Sequence, residues 1–219
     1  MVLRNMVMKI MQFVWGYFNY SLVKLLKLSS FDVIHLNDWQ CGLSSLLIKS
    51  DKAIETKVVY TIHNLAYQGV FEKSVLDDLD IDHSFFNIDG VEFYDKVSFM
   101  KAGIAYCDAI STVSPNYAKE ILTAEFGCGL EGFLDHHKSK LLGILNGIDT
   151  THFSPSTDTA LFKRYTNLSD KKINKSSFLK STKLKGVNKP LFVFIGRFTW
   201  QKEGGPSYRY TSRFSKERV

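Results

Sequence analysis

The chain has few of the features that mark secreted or membrane proteins. Its only cysteines, Cys41, Cys107 and Cys128, form neither a CxxC pair nor an even set, so we expect reduced thiols in an intracellular compartment. No uncharged run of 18 residues occurs, and Arg4 and Lys9 interrupt the apolar opening, which no small-residue cleavage site follows. We therefore expect neither a signal peptide nor a membrane span.

A nucleic-acid-binding motif is also lacking, although the formal net charge is +6. Residues 1–155 carry 13 Lys and Arg against 18 Asp and Glu, whereas residues 156–219 carry 15 against 4. The basic part has scattered aromatic residues without a stacking pattern, and this favours a solvated basic face over a nucleic-acid surface. We expect no nucleic-acid partner and no membrane partner.

What the chain does have is an alternation of short apolar runs and amphipathic segments. With 219 residues, of which 45% are hydrophobic, it can bury one large core or two small ones. Strand, helix and strand at this spacing predict a three-layer α/β domain with parallel strands. The expected parallel strands are Val33–Leu36, Val58–Ile62, Ala109–Val113 and Leu141–Leu145. Leu191–Ile195, the most hydrophobic run, is expected to be the first strand of a second α/β domain.

Helices are expected between these strands. Met6–Leu28 is predicted to be amphipathic because apolar residues recur there at steps of three and four, namely Ile10, Phe13, Val14, Tyr17, Phe18, Leu22 and Leu25. Leu43–Ile48 is a second helix, a third runs from Phe93 to Ile104, and Ser114-Pro115 starts a fourth. The acidic stretch Glu72–Asp82 is expected to be a solvated loop, since it lacks the ligand cadence of a calcium loop.

The stretch Val58–Gly69 is the most informative part of the chain. Val58–Ile62 is an uncharged run suited to a strand buried on both faces. Four hydrogen-bonding side chains follow before Gly69, namely His63, Asn64, Tyr67 and Gln68. A ligand site at the carboxyl end of a parallel strand needs such groups. The spacing of these residues alone is equally compatible with an ordinary polar loop in which the histidine is hydrogen-bonded within the protein.

Polar residues also follow other predicted strands. Asn37-Asp38 and Asn146-Gly147 end two strands, and Arg197 and Lys202 come after the last one. A cleft between two α/β domains is a natural place for them to meet. Fixed cations in such a cleft suit the charge that develops on a departing diphosphate. Two unrelated surface cations are the alternative.

These segments together resemble bacterial glycogen synthases and plant starch synthases, which are retaining glycosyltransferases of the GT-B fold. The resemblance runs from about Tyr17 to Lys202, and the motifs HNLAYQG, FFNIDG, VSPNYA, LNGID and the GR…QK pair stand in the family's order. It implies transfer of glucose from ADP-glucose or UDP-glucose to an α-1,4-glucan with retention. It further implies a cytoplasmic or plastid-stromal location and no metal or other cofactor.

Carried over by position, the resemblance gives Asp38 a role in shaping the acceptor side and gives His63 a contact with the donor glucose. Arg197 and Lys202 match the pair that holds the donor phosphates. These four are the expected catalytic residues. The expected substrate-binding residues are Asn64, Tyr67, Gln68, Gly69, Asn146 and Gly196. Asn37 stands where family members usually have His.

The resemblance also implies a fragment, because the family's Lys-x-Gly-Gly-Leu loop is absent and the pattern stops after Lys202. The expected parts are a partial amino-terminal Rossmann-like domain (1–149), an interdomain crossing with a basic polar segment (150–190), the start of the second domain (191–202) and a disordered tail (203–219). A non-catalytic binding module, or another retaining GT-B enzyme related to sucrose synthases, remains an alternative.

Overall fold

The structure, a computed structural model, describes residues 2–193 and 195. The chain divides into two compact units, residues 1–147 and residues 148–219. Within the described residues, no helix is long and apolar enough to cross a membrane.

The first unit alternates helices and strands. Its helices are α1 (Val2–Leu28), α2 (Gly42–Ser50), α3 (Val75–Asp78), α4 (Phe99–Tyr106), α5 (Pro115–Glu120) and α6 (Glu131–His136). Its strands are β1 (Val33–Asn37), β2 (Lys57–Ile62), β3 (Val70–Phe71), β4 (Glu92–Phe93), β5 (Lys96–Ser98), β6 (Ala109–Thr112) and β7 (Leu141–Gly143).

The main sheet has four strands in the order β1-β2-β6-β7, and every neighbouring pair is parallel. The expected parallel arrangement is therefore confirmed. Strand β7 ends at Gly143, two residues earlier than expected, and Leu145 beyond it is 71% exposed. All four strands point the same way, so their carboxyl ends meet at one edge of the sheet.

One face of this sheet forms the core of the unit. Leu36, Tyr60, Ile62 and Ile110 alternate along β1, β2 and β6 and are at most 1% exposed. Helices α2 and α4 pack against each other here, and α1 packs on α2. The Tyr60 ring lies so close to Gly103 that a Cβ at that glycine would stand 2.2 Å from it. This contact fixes the distance between α4 and the sheet.

The opposite face is largely open. Val33 on β1 and Leu142 on β7 are 55% and 62% exposed, and His35 is exposed as well. Within the first unit, α2 and α4 pack at the Tyr60 side of the sheet and α1 packs on α2, so the described residues of this unit do not form the expected third layer. Parallel sheets are normally covered on both faces.

Helix α1 is confirmed, but its expected apolar face is wrong. Four of the seven residues that define the apolar periodicity, Ile10, Val14, Tyr17 and Leu25, are more than 50% exposed. The buried face instead includes two polar side chains, Gln12 and Asn19, together with Val23 and Leu26. Gln12 donates to Asp78 at 2.7 Å, and Asn19 bonds to Gln40 and Ser44, so neither buried polar group is left unsatisfied.

Two further expectations are corrected. The segment from Phe93 to Ile104 is not one helix, because its first half forms the β4–β5 hairpin of a small antiparallel sheet, ordered β3-β5-β4. Tyr94 and Asp95 supply a two-residue turn that a helix cannot contain. The acidic stretch Glu72–Asp82 contains the short helix α3, because Val75 and Leu76 are fully buried.

The second unit contains a 3-10 turn at Leu168–Asp170 and helix α7 (Lys171–Ser181). Asn174 on α7 exchanges two hydrogen bonds with the backbone of Lys163, at 3.0 and 2.7 Å. Leu191, Val193 and Ile195 lie in neither helix nor strand, so the expected strand is not formed at these positions. A strand needs a neighbour to pair with, and the described residues of this segment belong to neither of the two sheets. The expected disordered tail, 203–219, lies outside the described residues.

Candidate active site

The carboxyl edge of the sheet is organised around Asp38, which directly follows β1. Its backbone has φ 57° and ψ −179°, a combination close to a region that is almost restricted to glycine. The strain is offset by its ties to β2, since the Asp38 N–H donates to the Thr61 carbonyl at 2.9 Å. Its Oδ1 accepts N–H bonds from His63 at 2.8 Å and Asn64 at 3.4 Å. Asp38 therefore anchors the loop that follows β2.

His63 is held by the last residue of β1. Its Nε2 lies 2.9 Å from Oδ1 of Asn37. Because an amide oxygen only accepts hydrogen bonds, this contact places a proton on Nε2. The ring is exposed, and its Nδ1 has no hydrogen-bond partner within the described residues. With Nε2 donating to Asn37, Nδ1 can accept a hydrogen bond from a hydroxyl group.

The turn at Gly69 requires glycine for two reasons. Its φ is +57°, and a Cβ there would stand 2.1 Å from the Trp39 ring. Trp39 is itself 7% exposed and packs edge-on against Trp15, with ring centroids 5.8 Å apart. Gly69 therefore allows the end of the loop to pack against the Trp39 ring.

Tyr117 supports the same loop from α5. Its hydroxyl oxygen accepts the Leu65 N–H at 3.1 Å. Burial raises the pKa of this hydroxyl, partly offset by the bond from Leu65, so it stays protonated and can still donate. Leu65 is fully buried beneath the loop. The loop is thus held from β1, α5 and Trp39.

Gln68 points into the protein rather than into solvent. It is 8% exposed, and its Nε2 donates to the Cys128 carbonyl at 2.9 Å. Its Oε1 has no hydrogen-bond partner among the residues that the structure describes. Cys128 and Gly129 both have positive φ values, 53° and 82°, so Gln68 holds a strained loop. The geometry favours a positioning role for this side chain.

The remaining expected residues differ in their placement. Tyr67 is 52% exposed at the loop surface, and Asn64 is half-buried, with its Oδ1 accepting the Ala66 N–H at 3.1 Å. Asn146 is exposed, three residues beyond the end of β7 and hence beyond the same edge of the sheet. Gly196, Arg197 and Lys202 lie outside the described residues.

A second polar group lies on the open face beneath this edge. His35 Nε2 stands 2.5 Å from the Thr61 hydroxyl, which is in turn 2.5 Å from the Ser111 hydroxyl. These three side chains form a row across β1, β2 and β6. Their mutual hydrogen bonds pair polar groups that would otherwise lack partners in the sheet.

Asp38 and His63 each leave an acceptor atom at this edge of the sheet. Asp38 uses one carboxylate oxygen for the loop, and in the described part of the chain its Oδ2 has no hydrogen-bond partner. The Nδ1 of His63 is the second acceptor. Acceptors at the ends of two neighbouring strands are groups with which hydroxyl donors can form hydrogen bonds.

Sequence reasoning did not foresee Trp39 and Tyr117 as supports of the loop, nor Asn37 as the partner of His63. The contact of Tyr117 with Leu65 joins residues 52 positions apart, and nothing in the local pattern indicates it. The polar ends of β1 and β2 were the usable signal for the Asn37–His63 pair.

Comparison with known proteins places this arrangement in context. Residues 9–136 match the family model described as "Starch synthase catalytic domain". The glycogen synthase of Myxococcus xanthus (strain DK1622) is 45% identical over 178 residues, which are 78% of this chain and 37% of that protein. The glycogen synthase of Thermodesulfovibrio yellowstonii is 40% identical over 199 residues, covering 85% of this chain and 39% of that protein.

A solved structure also resembles the chain, the catalytic domain of starch synthase IV from Arabidopsis thaliana bound to ADP and acarbose. The two match with a TM-score of 0.69 and 33% sequence identity, over 80% of this chain and 38% of the other. The chain therefore spans about two fifths of the length of the relatives that it matches.

Proposed function

Because the chain belongs to the family of starch synthase catalytic domains, we propose that it supplies the sugar-binding part of a retaining glucosyltransferase. The enzyme transfers glucose from ADP-glucose to an α-1,4-glucan. ADP-glucose is preferred over UDP-glucose in this proposal because the resembling starch synthase IV structure is bound to ADP. The enzyme works inside the cell, in the cytoplasm or the plastid stroma.

The observation that carries the proposal is the Asn37–Asp38–His63 arrangement at the carboxyl edge of the sheet. The His63 ring is held 2.9 Å from Asn37, and Asp38 holds the His63 backbone at 2.8 Å. Such pre-organisation fixes hydroxyl groups of a sugar before reaction and lowers the entropic part of the barrier. In this proposal His63 contacts the donor glucose and Asp38 shapes the acceptor side.

The other expected residues complete the proposed site. Tyr67, Asn64 and Asn146 contact sugar hydroxyls, while Gln68 and Gly69 keep the loop in shape. Gly196, Arg197 and Lys202 approach the donor diphosphate, where the two cations stabilise the departing nucleotide. Lys202→Ala in a longer protein that contains this chain is expected to lower kcat by about a hundredfold, as the loss of a transition-state charge partner does.

The domain assignment is part of the same proposal. Residues 1–149 belong to the amino-terminal domain, 150–190 cross between domains, 191–202 begin the second domain, and 203–219 lie outside the family pattern. Transfer needs the donor held from both domains and water excluded. We therefore expect the isolated chain to transfer no glucose.

A chimera tests the proposal. The stretch of Myxococcus xanthus glycogen synthase that matches this chain over 178 residues is replaced by the residues of this chain. Nucleotide release is then followed with ADP-glucose or UDP-glucose in the presence of a glucan primer. We expect release and glucan extension with ADP-glucose, and none from the isolated chain.

The unaltered Myxococcus xanthus protein is the positive control, and thermal unfolding shows whether the chimera is folded. A folded chimera that transfers glucose from neither donor would refute the proposal and favour a non-catalytic binding module. Turnover by the isolated chain would show that the parts beyond it are dispensable.

A further inference from the structure

A cleft lies away from the Asp38–His63 pair, between the β4–β5 hairpin and the loop that leads into α6. Its volume is about 650 Å³, which is within the range of small-ligand sites. Its walls combine three aromatic rings with three carboxylates, namely Phe93, Tyr94 and Phe133 with Asp89, Glu92 and Glu131. Residues 129–132 close the opposite side.

Tyr94 occupies an unfavourable position at the rim of this cleft. It forms the two-residue hairpin turn with Asp95, and both residues have positive φ, 49° and 61°. Turns of this kind prefer Asn and Gly, because a bulky side chain is strained at positive φ. The ring packs edge-on against Phe93, with centroids 4.8 Å apart, but it remains 75% exposed, so burial offsets little of the strain. Backbone strain of this kind clusters at functional positions.

The walls of the cleft are rigid. Lys101 is 4% exposed and donates from Nζ to the carbonyls of Ile88 at 2.7 Å and Glu92 at 2.5 Å. These bonds hold Ile88, which precedes the hairpin, and Glu92 on β4 in place. Across the cleft, a Cβ on Gly129 would meet the rings of Tyr94 and Phe93 at 3.2 and 3.3 Å. Gly129 and the hairpin rings are therefore already close together. Little conformational entropy of these residues is left to lose when a ligand binds.

The carboxylates of the cleft are acceptors of hydrogen bonds, and the lining also contains His136 and Lys101, whose Nζ already donates to two carbonyls. The Asp89 carboxylate has no hydrogen-bond partner in the part of the chain that the structure describes, and Glu131 uses Oε2 to accept the Gly129 N–H at 3.0 Å. Three carboxylates face one lysine that is already hydrogen-bonded, so the charge of the cleft disfavours a phosphate group. A glucose ring does fit, because its hydroxyls donate to carboxylates while its C–H face is apolar enough to lie on an aromatic ring.

We propose that this cleft binds an α-glucan chain, with the Tyr94 ring against the apolar face of one glucose unit and Asp89 and Glu131 accepting its hydroxyls. The glucan identity of the ligand rests on the proposed function. The cleft is joined to the His63 loop through Gln68, whose side chain holds the Cys128 carbonyl next to Gly129 at 2.9 Å.

Two substitutions in the turn separate binding from folding. Tyr94→Asn relieves the strain and removes the ring, whereas Asp95→Gly relieves the strain and keeps the ring. Both are expected to raise Tm by about 2–4 °C, because each removes an unfavourable positive-φ side chain. Only Tyr94→Asn is expected to weaken binding of maltoheptaose, by about fivefold to tenfold, through loss of the aromatic contact.

The measurement is isothermal titration of the chain and of both variants with maltoheptaose, alongside thermal unfolding. Equal affinities of the two variants, or no binding of maltoheptaose to the parent chain at millimolar concentration, would overturn the proposal. Because titration needs no turnover, it is independent of the chimera. Tyr94-dependent binding together with an inactive chimera would refute the transferase function but support the glucan cleft. An active chimera without Tyr94-dependent binding would support the transferase function and refute the glucan cleft.

Discussion

The two faces of the parallel sheet differ more than any other pair of surfaces in the first unit. The covered face buries Leu36, Tyr60 and Ile62 to 1% exposure or less under α2 and α4. The open face exposes Val33 and Leu142 and carries a row of hydrogen-bonded polar side chains instead. The covered face therefore supplies the stability of the unit, and the open face contributes little.

The difference also separates stability from function. The residues of the candidate site follow the strands at one edge, and their geometry depends on strands held in place from the covered face alone. Because parallel sheets are normally covered on both sides, we expect the open face to associate with other surfaces.

The largest contrast is expected between two identical substitutions on opposite faces. Val58 on β2 is 2% exposed on the covered face, whereas Val33 on β1 is 55% exposed on the open face. Val58→Ala should lower the free energy of unfolding by about 2 kcal/mol, through lost burial and a small cavity. Val33→Ala should change it by less than about 0.5 kcal/mol. Chemical denaturation of both variants measures the contrast, and equal losses would show that the open face is packed in solution.

A smaller effect is expected on self-association. The double variant Val33→Lys/Leu142→Lys places two charges on the open face and should reduce the weight-average mass in sedimentation at high concentration. Its charge-matched control is Ser29→Lys/Ser30→Lys, at two exposed polar positions. If both pairs reduce association equally, net charge rather than the apolar face is responsible.

The third effect concerns pH and His137, the residue that follows α6. Burial lowers the pKa of His137 to about 4, helped by nearby Lys140 and His136. The folded state therefore favours the neutral ring, whereas the unfolded chain takes up the proton near pH 6.5. Stability from this group is complete above pH 6.5 and is lost as the pH falls towards 4. His137→Gln should flatten that part of the Tm-against-pH curve, and an unchanged slope would contradict the assignment.

Much of the fold could be predicted from the sequence because short apolar runs with long crossovers permit few topologies. The four parallel strands and α2 followed from that pattern. The buried face of α1 did not, since the helix is apolar on more than one side and its core contacts include Gln12 and Asn19, whose partners are distant in sequence. The β4–β5 hairpin was missed because Phe93, Val97, Met100 and Ile104 also fit a helical period.

The candidate site was predictable to the extent that it depends on strand ends. Asp38 and His63 meet because β1 and β2 are parallel neighbours. The inward direction of Gln68 was not predictable, since its partner Cys128 is 60 positions away. The catalytic and substrate-binding roles of all the expected site residues stay predictions.

The most direct test of the sugar-binding role of the strand edge compares two histidines in the chimera. His63 and His35 are both exposed, and each makes one hydrogen bond through Nε2, but only His63 belongs to the proposed site. His63→Ala should lower kcat/KM for ADP-glucose by about a hundredfold at unchanged Tm, whereas His35→Ala should leave it within about twofold. Equal activities of the two variants would contradict the assignment of the active site.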